Sequence, residues 1–188
     1  MTQKKLVILD RDGVINADSD LYIKSPEEWL PLPGSLQAIA RLNQAGFRVV
    51  VATNQSGLAR NLFDVATLNQ IHRKMHQVAA SFGAKIDAVF FCPHSAIDAC
   101  QCRKPMPGLI NEILERYELK ASQVIPMVGD SLRDIQAAIA GGISPWLVLT
   151  GKGQHTIQLP NLPKEAKVTA NLNTFVDELL AKCEKNSI

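Results

Sequence analysis

The sequence predicts an α/β fold, a parallel sheet with helices on both faces. Short apolar runs alternate with helix-length segments along most of the chain, the pattern of strands joined by helical crossovers. The residues able to carry chemistry fall just after the apolar runs, and parallel sheets bind ligands at the carboxyl ends of their strands.

The first expected strand is Leu6-Val7-Ile8-Leu9, apolar throughout. The second spans 47–52 and is rich in β-branched residues. The third covers 88–91. The fourth covers 124–128, where Pro126 argues for a strained or edge position because proline cannot donate to a ladder. The fifth covers 146–149 and a weaker sixth 167–169.

Helical spacing fills the gaps. Over 35–45, Leu36, Ile39, Ala40 and Leu42 form a stripe that Gly46 ends. Over 64–81 the stripe is Leu68, Ile71, Met75, Val78 and Ala79, closed by Gly83. Residues 109–117 and 132–140 make two more helices, and Gly141-Gly142 stops the latter. A last helix covers 173–182, capped by Asn171 or Asn173.

A chain of 188 residues suits one domain with one core, spanning residues 1–188. Hydrophobic residues at 46% and charged residues at 20% are ordinary for a soluble globular protein. A net charge of +2 without a Lys/Arg run points away from nucleic acid. No stretch approaches the ~20 apolar residues of a membrane span. The opening residues lack the long apolar region of a secretory signal. A cytosolic monomer without a membrane partner is expected.

The first strand ends in Asp10-Arg11-Asp12-Gly13-Val14. Two carboxylates on the turn leaving a buried strand are costly unless a cation neutralises them. Mg²⁺, a hard ion with oxygen ligands, suits that place. Such an aspartate can also accept a phosphoryl group. The second strand ends in Thr53-Asn54-Gln55-Ser56-Gly57, a hydroxyl followed by turn amides able to hold phosphate oxygens. The fourth ends in Gly129-Asp130-Ser131-Leu132-Arg133-Asp134, preceded in the chain by Arg103-Lys104. Alone, Asp-x-Asp reads as a turn, Asp130 as a helix cap and Arg103-Lys104 as surface. Together they bring nucleophile, metal ligands and positive charge to one rim, the parts that phosphoryl transfer needs.

Cys92, His94, Cys100 and Cys102 lie within eleven residues. Three thiolates and an imidazole make a closed tetrahedral Zn²⁺ site with a structural role. A disulfide is the other reading, and a cytosolic compartment argues against it. Cys183 reads as a stray thiol. His72 and His76 are four apart on one helix but lack a third ligand, so a solvated helix face is the expectation for them; His155 is likewise assigned no role.

The order Asp-x-Asp-Gly, strand-Thr, Lys, Gly-Asp-x-x-x-Asp resembles the haloacid dehalogenase superfamily of phosphotransferases, from residue 6 to about 150. The wording of residues 10–16, 53–57, 92–94 and 102–105 is similar to the heptose-1,7-bisphosphate 7-phosphatases and their histidinol-phosphatase relatives. The resemblance implies a Rossmann-like three-layer sandwich with a central parallel sheet, no large cap domain and a short zinc-binding loop. It implies Asp10 as nucleophile, Asp12 as proton donor and acceptor, and Thr53 and Lys104 as holders of the phosphoryl group. Mg²⁺ would sit on the Asp10 carboxylate, the Asp12 carbonyl and Asp130. Asn54, Gln55, Ser56 and Arg103 would line the substrate site, joined by Asp18, Ser19, Asp20 and Leu21. The implied substrate is a small phosphorylated sugar on the route to bacterial surface polysaccharide. Histidinol phosphate remains an alternative, for which Asp18, Asp20 or Asp98 would receive the amine. A non-catalytic zinc-stabilised module is the reading from a different class; a nucleic-acid 3′-phosphatase is a further alternative that the balanced charge disfavours. The sequence departs from the family's commoner wording in the five residues between His94 and Cys100, in Ser131 where many members have Lys, and over 18–22.

Overall fold

The computed structural model describes residues 5–122 and 124–185. Six parallel strands form one sheet in the order β3-β2-β1-β4-β5-β6. They are β1 (Leu6–Leu9), β2 (Arg48–Asn54), β3 (Ala88–Cys92), β4 (Pro126–Gly129), β5 (Ser144–Val148) and β6 (Lys167–Thr169). The helices are α1 (Ser35–Gln44), α2 (Val65–Ser81), α3 (Gly108–Arg116), α4 (Leu132–Ala140), α5 (Gly153–Thr156) and α6 (Leu172–Lys185).

Side chains alternate across a strand, so each central strand feeds two cores. Val7, Leu9, Val49 and Val51 pack with Ile39 and Leu42 of α1, Ile71 and Met75 of α2 and Phe175 of α6. Leu6, Ile8, Val50 and Ala52 pack on the other face with Leu109 and Ile113 of α3 and Ala137 and Ala138 of α4. This is the expected three-layer sandwich. The chain winds outward from β1 to β3, then crosses back to lay β4 on the other side of β1. The carboxyl ends of β1 and β4 therefore flank the point where the winding reverses, the place where such sheets open a crevice.

Pro126 corrects an expectation. It stands in a central strand, between β1 and β5, rather than at an edge. The fold tolerates it because it is the first strand residue. The ladder with β1 starts one residue later, at Met127. On the β5 side the nearby donor is Ser144 N–H, which reaches the carbonyl of Ile125 at 2.9 Å. No proline N–H is called for.

Several ends run beyond the expected bounds, and two of these matter. β2 reaches Asn54, which puts Thr53 on the strand itself. β3 reaches Cys92, which puts the first thiol at a strand end. Asn171 rather than Asn173 caps α6, its side-chain oxygen accepting Thr174 N–H at 3.0 Å; Asn173 instead receives Arg41 Nη1 at 2.7 Å. The four-residue α5 was not anticipated, since one turn is too short to show a period.

Asp64 caps α2 by accepting Thr67 N–H at 2.7 Å. Replacing it by alanine is expected to lower stability by about 1 kcal/mol. Urea unfolding checks this, and an unchanged midpoint would contradict the capping role.

Candidate active site

Asp10 follows β1 and is fixed by its N–H, which donates to Val128 O at 2.8 Å across the β1–β4 junction. Its Oδ1 lies 3.0 Å from Lys104 Nζ. The same ammonium lies 2.6 Å from Asp134 Oδ1 and donates to Ala52 O at 2.8 Å. Lys104 is only 2% exposed, with one hydrogen bond to a carbonyl and two carboxylates beside its ammonium. Asn54 holds its backbone in place. The Asn54 amide donates to Lys104 O and accepts Lys104 N–H, both at 3.0 Å.

Asp10, Asp130 and Asp134 each offer a carboxylate oxygen, and these oxygens lie within 4.8 Å of one another. Burial pushes Asp10 well above the usual carboxylate range, and the neighbouring acids add to the rise despite Lys104. Burial pushes Asp130 up to about 7, with Asp134 contributing. Burial would also raise Asp134, but Lys104 and the bonds from Ser131 more than reverse this and hold it low. The Lys104 ammonium is favoured by Asp10 and Asp134 in spite of its burial. Asp134 is thus spoken for by Lys104 and Ser131. Asp10 and Asp130 are left as oxygen donors that resist ionising until positive charge arrives. That donor set fits a hard divalent cation such as Mg²⁺.

Two glycines make this approach possible. Gly13 has φ +80°, and a Cβ there would stand 2.0 Å from Asp130 Oδ2. Gly151 has φ +54°, and its Cβ would stand 2.1 Å from the same oxygen. The loop bearing Gly151 also fastens the site from above. Lys152 N–H donates to Asp130 Oδ2 at 2.7 Å, and Thr150 Oγ1 donates to Gly13 O at 2.6 Å.

Asp12 is held differently. Its Oδ1 accepts Arg11 Nε at 3.0 Å and Asn16 Nδ2 at 2.9 Å. Its Oδ2 accepts Arg11 Nη2 at 2.9 Å and Gln55 Nε2 at 3.2 Å. Gln55 also donates to Thr53 Oγ1 at 2.9 Å. Behind Arg11 stands His72, which contradicts the expectation of a solvated face. His72 is buried, with its Nε2 3.4 Å from Arg11 Nη1 and its ring edge-on to Phe91. Burial first, and Arg11 next, push it down to about 3. A guanidinium can only donate, so the neutral ring accepts at Nε2 and carries its proton on Nδ1.

The four acids, Lys104, Arg11 and Gln55 line one cleft of about 280 Å³. Of the residues expected in the site, Asp10, Asp12, Thr53, Lys104 and Asp130 face it, as do Asn54, Gln55, Ser56, Arg103, Asp18, Ser19 and Asp20. Leu21 does not. It is 77% exposed and turns away to solvent. The cleft also recruits Arg60, Arg133 and Lys152, which the sequence reading passed over. Lys152 Nζ bridges Asp18 and Asp20 at 3.2 Å each. Its place in a Gly-Lys-Gly turn after β5, a strand end with no carboxylate, gave it no chemical signal. Asp134 did have one, in the Gly-Asp-x-x-x-Asp spacing.

The cysteine cluster forms as expected. Cys92 Sγ lies 3.6 Å from Cys100 Sγ, 3.2 Å from Cys102 Sγ and 3.7 Å from His94 Nδ1. Cys102 Sγ lies 3.3 Å from His94 Nδ1 and 3.5 Å from Cys100 Sγ. A tetrahedron with Zn–S bonds of ~2.3 Å has edges of about 3.8 Å, so these four atoms could hold zinc. All three cysteines are free thiols in this structure. Arg103, next in the chain, donates to His94 O at 3.1 Å.

A parallel α/β sandwich with an aspartate pair leaving β1, a threonine on β2, a buried lysine and acids after β4 defines a haloacid dehalogenase-type hydrolase. The family model for haloacid dehalogenase-like hydrolases matches residues 4–142, and the chain belongs to that family. Over 176 residues it is 57% identical to D-glycero-beta-D-manno-heptose-1,7-bisphosphate 7-phosphatase of Bordetella bronchiseptica, covering 94% of this chain and 98% of that protein. It is 50% identical to the protein of the same name from Neisseria meningitidis serogroup A, over 91% of this chain and 92% of that one. The crystal structure of D,D-heptose 1,7-bisphosphate phosphatase from B. bronchiseptica, complexed with magnesium and phosphate, matches with a TM-score of 0.92 and 56% identity, covering 95% of this chain and 99% of that chain.

The positive φ of Gly13 and the carboxylate beside it make Gly13→Ala a sharp probe. The left-handed backbone alone costs about 1–2 kcal/mol for an L-residue, and the clash with Asp130 adds to it. Urea unfolding is expected to show a loss above that range together with a fall in turnover. Wild-type stability would contradict the close approach.

Proposed function

We propose that this chain is a Mg²⁺-dependent phosphatase that removes the C7 phosphate of heptose 1,7-bisphosphate through an aspartyl-phosphate on Asp10. One observation carries the proposal: cation-demanding carboxylates converge beside a buried lysine in a chain that matches named heptose-bisphosphate phosphatases over nearly its whole length. The single sheet supports reading residues 1–188 as one catalytic domain.

In this reading the Asp10 carboxylate attacks phosphorus. Asp10, Asp130 and the Asp12 backbone carbonyl would hold Mg²⁺, which when bound supplies the positive charge that lets a dianionic phosphate approach an ionised aspartate. Thr53 accepts from Gln55, which leaves its own proton for a phosphoryl oxygen. Lys104 faces the same space from beside Asp10. Asp12 protonates the leaving alkoxide and then takes a proton from the hydrolytic water. The structural zinc loop would fix where Arg103 and Lys104 enter the cleft.

The charge of the walls favours a second phosphate over an amine. Asp18 and Asp20 are both paired with Lys152. Asp98 is engaged in its own turn, accepting from Ser95 N–H at 2.6 Å and Ser95 Oγ at 2.7 Å. No carboxylate of the three awaits the amine of histidinol phosphate, whereas Arg60, Arg103 and Arg133 line the cleft. Among the described residues no helix is long and apolar enough to cross a membrane, and the substrate class is a phosphorylated sugar.

Phosphate release with Mg²⁺ tests the assignment. The heptose 1,7-bisphosphate anomers are expected to exceed histidinol phosphate by more than about tenfold in kcat/KM, about 1.4 kcal/mol. A flat profile, or a lead for histidinol phosphate, overturns the substrate. Asp10→Asn is expected to abolish turnover while circular dichroism stays native; substantial residual activity removes Asp10 from the nucleophile role. Cys102→Ser is expected to lose zinc by atomic emission and to lower both melting temperature and activity. Unchanged zinc content and melting temperature would refute the structural metal.

A further inference from the structure

The Asp12 carboxylate has more partners than a free acid can use. Four donors reach it, two on each oxygen, and a carboxylate has about four lone-pair sites in its plane. In this arrangement no in-plane site is open to a leaving-group oxygen. The side chain must shed part of this cradle before it can act on substrate.

The cradle is unequal. Asn16 and Gln55 each supply one donor. Arg11 supplies a two-point fork through Nε and Nη2, which fixes the carboxylate in plane as well as in distance. Arg11 itself cannot drift. It is 1% exposed, its Nη2 also donates to Gln55 Oε1 at 3.2 Å, and its Nη1 meets His72 Nε2. His72 belongs to α2, whose stripe is buried in the core. A line of contacts thus runs from the helix layer through His72 and Arg11 to Asp12. Neither Arg11 nor His72 is needed to hold metal or phosphate in the reading above. A buried guanidinium is expensive to desolvate, and a hydrophobic isostere would pack there at lower cost.

We propose that Arg11, anchored by His72, is a positioning residue for Asp12. It sets the plane and placement of the carboxyl that delivers a proton to the leaving group. The proposal rests on the phosphatase reading and on the acid role of Asp12 within it.

The test reads how strongly kcat/KM depends on leaving-group acidity across a series of substituted phenyl phosphates. A well-placed acid flattens that dependence, because the proton offsets poor leaving groups. A merely structural defect lowers every substrate alike and leaves the slope unchanged. Three variants are compared with the wild-type holoenzyme: Asp12→Asn as reference, Arg11→Lys, which keeps the charge and loses the fork, and His72→Leu, which removes the anchor. Arg11→Lys and His72→Leu are both expected to steepen the slope toward that of Asp12→Asn, with the poorest leaving group losing about tenfold or more relative to the best. His72→Gln, which can restore an acceptor, is expected to return the slope toward wild type. Should Arg11→Lys fail to fold, the His72 pair decides the matter alone. A steep slope for Asp12→Asn with wild-type slopes for the other variants overturns the proposal and leaves the phosphatase reading standing. A wild-type slope for Asp12→Asn itself overturns the acid role, and the proposal falls with it.

Discussion

A buried ammonium lies between a buried carboxylate and a partly exposed one at the floor of the cleft, and the surrounding elements are arranged to keep it there. Lys104 spans Asp10 at 3.0 Å and Asp134 at 2.6 Å, with Ala52 O as its third partner. Removing such charges from water costs several kcal/mol per ion, which close pairing must offset. The pairing is also incomplete by design of charge. Asp130 makes a third acid within reach, so three acids face one ammonium, and ionising them all calls for a further cation. A site built this way is unstable electrostatically in proportion to how well it is prepared for metal and phosphate.

The fold supplies the partners from separate places. β1 and β4 bring Asp10 and Asp130 together because the winding reverses between them. α4 brings Asp134, whose carboxylate also closes a capping box with Ser131 at the start of that helix. Lys104 comes from a loop with little core of its own. Two devices stiffen that loop: the reciprocal amide contact with Asn54, and the Cys92, His94, Cys100 and Cys102 cluster just upstream. The cysteine cluster and Lys104 therefore share one short loop, with Cys102 two residues before the lysine.

Much of this was legible in the chain because it rests on local pattern. An unbroken apolar run defined β1, helical spacing defined α4, and strand-end polar residues marked the crevice. Paired ligand spacing marked the cysteine cluster. What escaped rests on tertiary context. Pro126 reads as an edge residue until the register shows that no partner needs its N–H. His72 sits in a helix where only the packing against Arg11 and Phe91 reveals its burial. Lys152 follows a strand end without acids and acquires meaning only when it meets Asp18, Asp20 and Asp130. Leu21 stands between Asp20 and Tyr22, which both line the cleft, yet points to solvent itself, and nothing in the local pattern of that loop sets it apart from its neighbours.

The central claim is that Asp10 carries the phosphoryl group between substrate and water. Acid quenching within the first turnover on heptose 1,7-bisphosphate, followed by peptide mapping by mass spectrometry, tests it most directly. The account predicts that the peptide containing Asp10 gains the mass of one phosphoryl group, that fragmentation assigns it to Asp10, and that the adduct decays as free phosphate appears. Release of a full equivalent of phosphate with no adduct formed, or an adduct on another residue, would contradict it.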